Sequence, residues 1–183
     1  MNGRPLTPAT QIRVWDPVVR LCHWGLVILV ALAWSTRHGG GRWHEWSGHA
    51  AGAIVALRLL WGWVGPPYAR FAQFLRSPAA TARYAMQILA GREPRHLGHN
   101  PLGGWMVVLL LTAAALTVAT GWLYITDEFW GVRWVESLHG GSSDALLALA
   151  TLHVAGVVFT SIRQRENLVA AMIHGRKRDA KLP

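Results

Sequence analysis

Two histidines near the end of the chain, His139 and His153, have the spacing that most directly indicates chemistry. They stand fourteen positions apart, and fourteen helical steps of about 100° come to within roughly 40° of whole turns, so both rings leave one helix face. A rise of 1.5 Å per residue separates them by about 21 Å, most of the thickness of a bilayer core. His23 and His44 lie at opposite ends of the first two apolar segments. The pattern predicts two metal centres stacked across a membrane.

Depth sorts these histidines into two pairs, His23 with His153 and His44 with His139. A histidine in hydrocarbon must satisfy both a donor and an acceptor, so it is a candidate for function. The alternative for any one of them is a hydrogen bond to a carbonyl or hydroxyl of a neighbouring helix, but four at matching depths weaken that reading. Each pair could supply both axial ligands of one b-type haem, which leaves no open position for oxygen and favours electron transfer.

Other chemistries fit the sequence less well. Zinc prefers tetrahedral sites, commonly with thiolate or carboxylate ligands, and four histidines at two levels do not supply them. A proton relay would need intramembrane Asp or Glu residues to continue it, and the apolar blocks hold none. Cys22 is the only cysteine, which excludes an internal disulfide, a cysteine-ligated iron–sulfur cluster and covalent haem attachment through C-x-x-C-H. Any haem must therefore be held non-covalently.

The elements that position the histidines are apolar enough to lie in a membrane. Of the 183 residues, 52% are hydrophobic and 15% are charged, against about 25% charged in a soluble domain. Arg58 is the one charge in four apolar blocks, at 21–34, 50–64, 105–125 and 145–162. The blocks with their flanks approach the roughly 20 residues that span hydrocarbon. The sequence predicts an all-α fold, a transmembrane four-helix bundle in a single domain over 1–183, with spans at about 18–35, 44–65, 104–125 and 139–162.

The basic residues predict the orientation of this bundle. The formal charge is +9, and most of the 18 Lys and Arg residues fall in three segments, 4–20, 70–95 and 163–181. With four spans these segments share one side, so the positive-inside rule predicts a multi-pass membrane protein with both termini in the cytoplasm. The same charge is suited to lipid headgroups, and nucleic-acid binding is not expected. The polar start at 1–20 shows no cleavable signal pattern, so the first span would direct insertion.

The segments outside the spans are predicted to lie on the membrane surface. The sequence SPAATARYAMQILAG, within the long connection 66–103, has a Ser cap and a Pro and predicts a short surface helix. The tail after Ile162 predicts a second short amphipathic helix. The first twenty residues are expected to form a loose lead-in, in which Asp16 and Pro17 start the first helix.

Two arginines are candidates for contacts with haem carboxylates. Arg58 lies inside a span, where burying a guanidinium costs free energy. It stands fourteen positions after His44, near the level of the His23–His153 pair on the predicted cytoplasmic side. The alternative is snorkelling to lipid headgroups. Arg20, three residues before His23, could make the same contact from the membrane edge. His49 could support His44 or replace it as a ligand, although a packing role is favoured for His49. The remaining histidines lie in loops or the tail and are expected to be solvated: His38, His96, His99 and His174.

Several motifs together resemble the bacterial cytochrome b561 family, which includes the cytochrome b subunits of nickel–iron hydrogenases. They are RLCHW at 20–24, HEWSGH at 44–49, GHNPLG at 98–103, LHVAG at 152–156 and ENLVAAMIHGRKR at 166–178. The resemblance covers about 14–178. It implies a four-helix membrane bundle with two b haems, held by histidines that match His23, His44, His139 and His153. In this alignment the second-helix ligand is His44 rather than His49.

The resemblance also implies a function and its alternatives. Family members exchange electrons between the membrane quinone pool and an outer-face partner, which is a c-type cytochrome or a hydrogenase or dehydrogenase subunit. We therefore expect an electron-transfer subunit of a respiratory oxidoreductase system in the bacterial inner membrane, in contact with lipid and quinone. A homodimer is a further assembly to consider. The alternative is a stand-alone superoxide:quinone oxidoreductase, for which the outer acids Asp127, Glu128 and Glu136 are unfavourable. A third possibility is a structural membrane anchor for another subunit, which predicts that the protein binds no chromophore.

Overall fold

A computed structural model describes residues 11–39 and 41–178 of the chain. In this part the protein is mostly helical, as the sequence predicts, with a single pair of very short strands. The elements in chain order are β1 (Gln11–Arg13), α1 (Pro17–Thr36), α2 (Arg42–Val64), α3 (Phe71–Phe74), α4 (Pro78–Leu89), α5 (Pro101–Tyr124), α6 (Arg133–Arg163), α7 (Leu168–His174) and β2 (Arg176–Arg178).

Three of the helices are long and apolar enough to cross a membrane: α1 with the turn that follows it (Pro17–Gly39), α5 and α6. With 23 residues α2 is long enough, since a rise of 1.5 Å per residue gives about 35 Å. It is less apolar than the others because His44, His49 and Arg58 lie along it. Length and composition thus support three of the four predicted spans.

The long helices pack in chain order, α1 against α2, α2 against α5, and α5 against α6. Val55, Ala114 and Leu146, from α2, α5 and α6, form a buried cluster between them. Large apolar side chains on the outward faces of all four helices are exposed, among them Ile28, Leu60, Leu109 and Val158. Outward-facing apolar side chains of this kind suit contact with lipid.

The first and last described segments, β1 and β2, meet at one end of the bundle, which we call the terminal end. The opposite end, with the α1–α2 and α5–α6 connections, is the loop end. At the terminal end, β1 and β2 pair antiparallel, with Ile12 opposite Lys177. The carbonyl of Gly175 accepts hydrogen bonds from the backbone N–H groups of Val14 and Trp15. The prediction of a loose lead-in is therefore wrong for 11–16, where Val14 and Trp15 are buried. Residues 1–10 lie outside the described part of the chain.

Two further predictions need correction in their bounds. The tail helix α7 has only seven residues, because Gly175 takes a left-handed conformation (φ 81°) that ends it and turns the chain into β2. The last long helix begins at Arg133 rather than near His139. Gly131 turns the chain in a left-handed conformation just before it. The earlier start buries Val135 in the first turn of the helix. The predicted surface helix in the long connection is α4, capped by Ser77.

Candidate metal centres

His44 and His139 face each other at the loop end. His44 lies in the first turn of α2 and His139 lies two turns into α6, and their ring centroids are 6.1 Å apart. The Nδ1 of His44 is 2.9 Å from the carbonyl oxygen of Ala33 in α1. The Nδ1 of His139 is 2.9 Å from that of Thr117 in α5. An N–H at Nδ1 that donates to a carbonyl leaves Nε2 free to bind a metal, as in most histidine sites.

Helix α5 is shaped to accept the ring of His139. A Cβ at Gly121 would come within 2.8 Å of the ring Cε1, so only glycine allows this approach without displacement. The hydroxyl of Thr120 lies 3.4 Å from the same Nδ1. These contacts hold the ring in place against α5.

His23 and His153 form the second facing pair, toward the terminal end. Their ring centroids are 6.4 Å apart, and both side chains are partly buried. The indole of Trp24 lies edge-on to His23, with centroids 5.0 Å apart. The Nδ1 of His23 is buried without a hydrogen-bond partner. This pair joins the first long helix to the last.

The spacing of both pairs fits two imidazoles on opposite sides of one metal atom. A ligating nitrogen lies about 2 Å from its metal and about 1 Å from its ring centroid, so two such rings have centroids about 6 Å apart. Within residues 11–39 and 41–178, no three His, Cys, Asp or Glu side chains lie close enough together to hold a metal ion. That donor set does not fit tetrahedral zinc. Two imidazoles would instead suffice to hold a b-type haem, because the porphyrin would supply the other ligands of the iron.

The two arginines both lie at the terminal end, and neither extends freely into solvent. Arg58 is only 5% exposed. Its Nη2 donates to the carbonyl of Ala69 at 3.2 Å, and its guanidinium lies 5.2 Å from the ring centroid of Phe71. Arg20 donates through Nη2 to the carbonyl of Ile173. One nitrogen of each, Nη1 of Arg58 and Nε of Arg20, is buried without a partner.

His99 is the residue that sequence reasoning missed. We expected it to be solvated, but it lies between Trp15 and Phe74, with ring centroids 4.7 and 4.6 Å from theirs. Its pKa is lowered to about 3, first by burial and then by the nearby positive charges of Arg58 and Lys177 and the other histidines. The ring is therefore neutral at pH 7. Its place in GHNPLG was the available signal, but the motif alone does not reveal the burial.

The other histidines do not join either pair. His49 is exposed, and its Nδ1 contacts the carbonyl of Glu45 in its own helix at 2.7 Å. His38 and His174 are exposed, as expected. His96 is partly buried, with its ring edge-on to Tyr84 at 5.2 Å.

Apolar helices with facing pairs of histidines are an arrangement that can hold b-type haem in a membrane. Residues 14–175 match the profile of the prokaryotic cytochrome b561 family, and the chain belongs to that family. It is thus a multi-pass membrane protein of a cytochrome b family.

One curated relative is a probable Ni/Fe-hydrogenase B-type cytochrome subunit from Rhizobium leguminosarum bv. viciae, 24% identical to this chain. The alignment covers 73% of this chain and 66% of the relative, so the chain spans just under two thirds of that protein's length. No solved structure matches the sequence.

Proposed function

We propose that the protein carries electrons across the bacterial inner membrane through two b-type haems, one held by His23 and His153 and the other by His44 and His139. The electrons pass between the membrane quinone pool and a redox protein at the outer face. The observation that carries this proposal is the pair of imidazole spacings, 6.4 and 6.1 Å, at two levels of α6. A haem with two axial imidazoles supplies one-electron exchange without an open iron position.

The chain's own contribution is to hold the ligands in orientation and to keep them out of water. At the loop end, the carbonyls of Ala33 and Thr117 fix the rings of His44 and His139 through Nδ1. Apolar residues of α2, α5 and α6 fill the bundle between the two levels. Rings fixed in advance need little rearrangement, which keeps electron transfer fast.

We further propose that α2 is a fourth span and that residues 1–183 form one membrane domain. In support, α2 packs between α1 and α5, and it exposes Leu57, Leu60 and Trp63 to the surroundings. The basic residues of the terminal end then place both termini in the cytoplasm. The loop end, with His44 and His139, faces outward.

We place the quinone, one of the two reactants, in a wide and shallow groove on the surface of the bundle. It has a volume of about 710 Å³ and is lined by Trp34 of α1 and by α6 residues between 144 and 155, among them Asp144 and Thr151. That size and apolar lining suit a small aromatic ligand. The stretch of α6 that lines it lies between the positions of His139 and His153, so a quinone there would sit near both levels.

Exposed aromatic side chains at the loop end support a protein as the other reactant. Trp130 and Trp134 are 71% and 56% exposed, next to the acids Asp127 and Glu128. Tryptophan is enriched in protein interfaces and in membrane-interface belts. The partner we propose is a c-type cytochrome or a hydrogenase or dehydrogenase subunit, in keeping with the name of the rhizobial relative.

The test is to purify the full chain, quantify haem per polypeptide and record a reduced-minus-oxidised spectrum. We expect two non-covalent haems with b-type bands, both reducible by a quinol under anaerobic conditions. A colourless chain, or one haem per chain, would contradict the proposal. Rapid haem reduction by superoxide in stopped flow would instead favour the stand-alone superoxide:quinone oxidoreductase.

A further inference from the structure

Four buried side-chain nitrogens in the described residues have no hydrogen-bond partner: Arg20 Nε, His23 Nδ1, Arg58 Nη1 and His99 Nδ1. Buried polar atoms are nearly always paired, because an unpaired one costs the free energy of its lost hydration. All four belong to residues of the terminal end, and they come from α1, α2 and the segment just before α5. They therefore mark one place where the protein presents donors without acceptors.

Direct contacts connect these residues into one cluster. Arg58 stacks on Phe71, whose ring lies 5.8 Å from that of Phe74, and Phe74 in turn contacts His99. On the other side His99 contacts Trp15, and the carbonyl of Trp15 lies close to Gly175.

The side chain of Arg20 reaches the same place. A Cβ at Gly175 would be 3.4 Å from the Arg20 side chain and 2.6 Å from the Trp15 carbonyl. Along α1, Arg20 lies less than one turn before His23. Arg20 is thus within one helical turn of His23, and His99 is near enough to His23 and His153 for both to affect its pKa.

The nearby carboxylates do not bind the unpaired N–H groups of this cluster. Asp16 is engaged, since its Oδ1 accepts from the backbone N–H groups of Val18 and Val19 and from the indole of Trp61. Glu166 is engaged with Arg95 at 2.9 Å. Two guanidiniums with free N–H groups and a neutral imidazole remain, and they suit a bound anion with several acceptor oxygens.

We propose that Arg20, Arg58 and His99 form a carboxylate site that binds the propionates of the haem held by His23 and His153, with His99 as a donor that the ligand pattern does not assign. This inference rests on the proposed function. A porphyrin carboxylate is favoured over a lipid phosphate because His99 lies between the rings of Trp15 and Phe74, with its Nδ1 shielded from solvent. A headgroup would approach from the periphery.

The first test compares His99→Gln and Arg58→Gln with the matched control His96→Gln, which changes a histidine three positions from His99 that lies outside the cluster. Each purified full-length protein is titrated potentiometrically, and haem release to apomyoglobin is timed. We expect the midpoint potential of one haem to fall in both variants, since positive charge and donors near the carboxylates favour the reduced state. We expect that haem to leave roughly tenfold faster or more. The other haem and His96→Gln should behave as wild type.

The second test needs no stable variant, because it changes the haem instead. Haem-stripped wild-type chain is reconstituted with haem or with haem dimethyl ester, in which both carboxylates are neutral. We expect tighter binding of the free acid at one of the two sites, and a smaller preference in His99→Gln. Equal binding of the two haems by wild type would overturn the inference.

The remaining outcomes separate this inference from the proposed function. A wild-type chain with two haems and a His99→Gln variant unchanged in potential and haem release would overturn the carboxylate site alone. Loss of tightly bound phospholipid phosphate from His99→Gln, with haem properties unchanged, would identify a headgroup site and also overturn it. A colourless wild-type chain would overturn both proposals.

Discussion

His44 and His139 hold their rings 6.1 Å apart, although ninety-five positions separate them in the chain. Each ring is also fixed by a carbonyl of a helix that carries neither of them, Ala33 in α1 for one and Thr117 in α5 for the other. All four long helices thus contribute to this centre. Haem binding at this centre should therefore depend on the packing of all four long helices.

Replacing one histidine of either pair should remove one haem and leave the other. We expect His153→Ala to lose the haem at the terminal end and His139→Ala to lose the haem at the loop end, because a single axial imidazole and non-covalent contacts hold a b haem weakly. The measurement is haem per polypeptide by pyridine haemochrome, which should fall from two to about one, together with the redox titration of the haem that remains. His38→Ala, in the exposed turn after α1, is the control. Loss of both haems in both variants, or of neither, would contradict the pairing.

Adding one methyl group at Gly121 should disturb the loop-end centre. In a helix interior Gly→Ala ordinarily stabilises by about 0.5–1 kcal/mol, but here the new Cβ would meet the His139 ring at 2.8 Å. We expect Gly121→Ala to lower haem occupancy or shift the spectrum at that level only. Gly140→Ala, where no atom lies within 4 Å of the added Cβ, should leave the spectrum unchanged. Identical spectra for the two variants would show that the ring does not depend on this close approach.

Replacement by alanine should destabilise the protein more at Gly175 than at Gly131, another glycine in a left-handed conformation. Its φ is 81° and that of Gly131 is 73°, so alanine at either position costs roughly 1–2 kcal/mol in backbone strain. At Gly175 alone the Cβ would also meet the carbonyl of Trp15, at 2.6 Å, where β1 and β2 join. We expect a lower thermal midpoint in detergent for Gly175→Ala than for Gly131→Ala. Equal midpoints would mean that the strand pair contributes little to stability.

Glu166 should make the terminal end sensitive to acid. Burial raises the pKa of this carboxyl, but hydrogen bonds from Arg95 and the Arg178 amide and the charge of Lys177 outweigh it and lower the pKa below its ordinary value of 4.5. A lowered folded-state pKa means that its stabilisation is present above about pH 4.5 and is lost as the pH falls through the folded value. Glu166→Gln should therefore cost about 1–3 kcal/mol at neutral pH.

Thermal unfolding measured from pH 7 to pH 3 checks this prediction. The wild-type midpoint should fall toward that of Glu166→Gln below pH 4.5, and the exposed Glu128→Gln should follow wild type throughout. A constant difference between wild type and Glu166→Gln across this range would show that the carboxylate charge is not what stabilises the terminal end.

The sequence by itself determined the helical class, the family and the four histidines that we propose as ligands. These features are local or periodic: apolar blocks long enough to span hydrocarbon, and a fourteen-residue spacing that returns to one helix face. Asp16 before Pro17 and Ser77 before Pro78 marked the starts of α1 and α4, because their side chains cap the first free N–H groups. Each of these signals is complete within a few turns of chain.

Only the tertiary structure decided which polar groups are enclosed. From the sequence alone, His99 is expected to be a solvated loop residue. In the structure it packs against Trp15, from a segment expected to be loose, and against Phe74, from another part of the long connection. The pairing of β1 with β2 likewise joins residues more than 160 positions apart. No local pattern encodes such contacts, because burial is set by the free energy of packing distant segments together. The periodicity that places a histidine on a helix face cannot show what covers it.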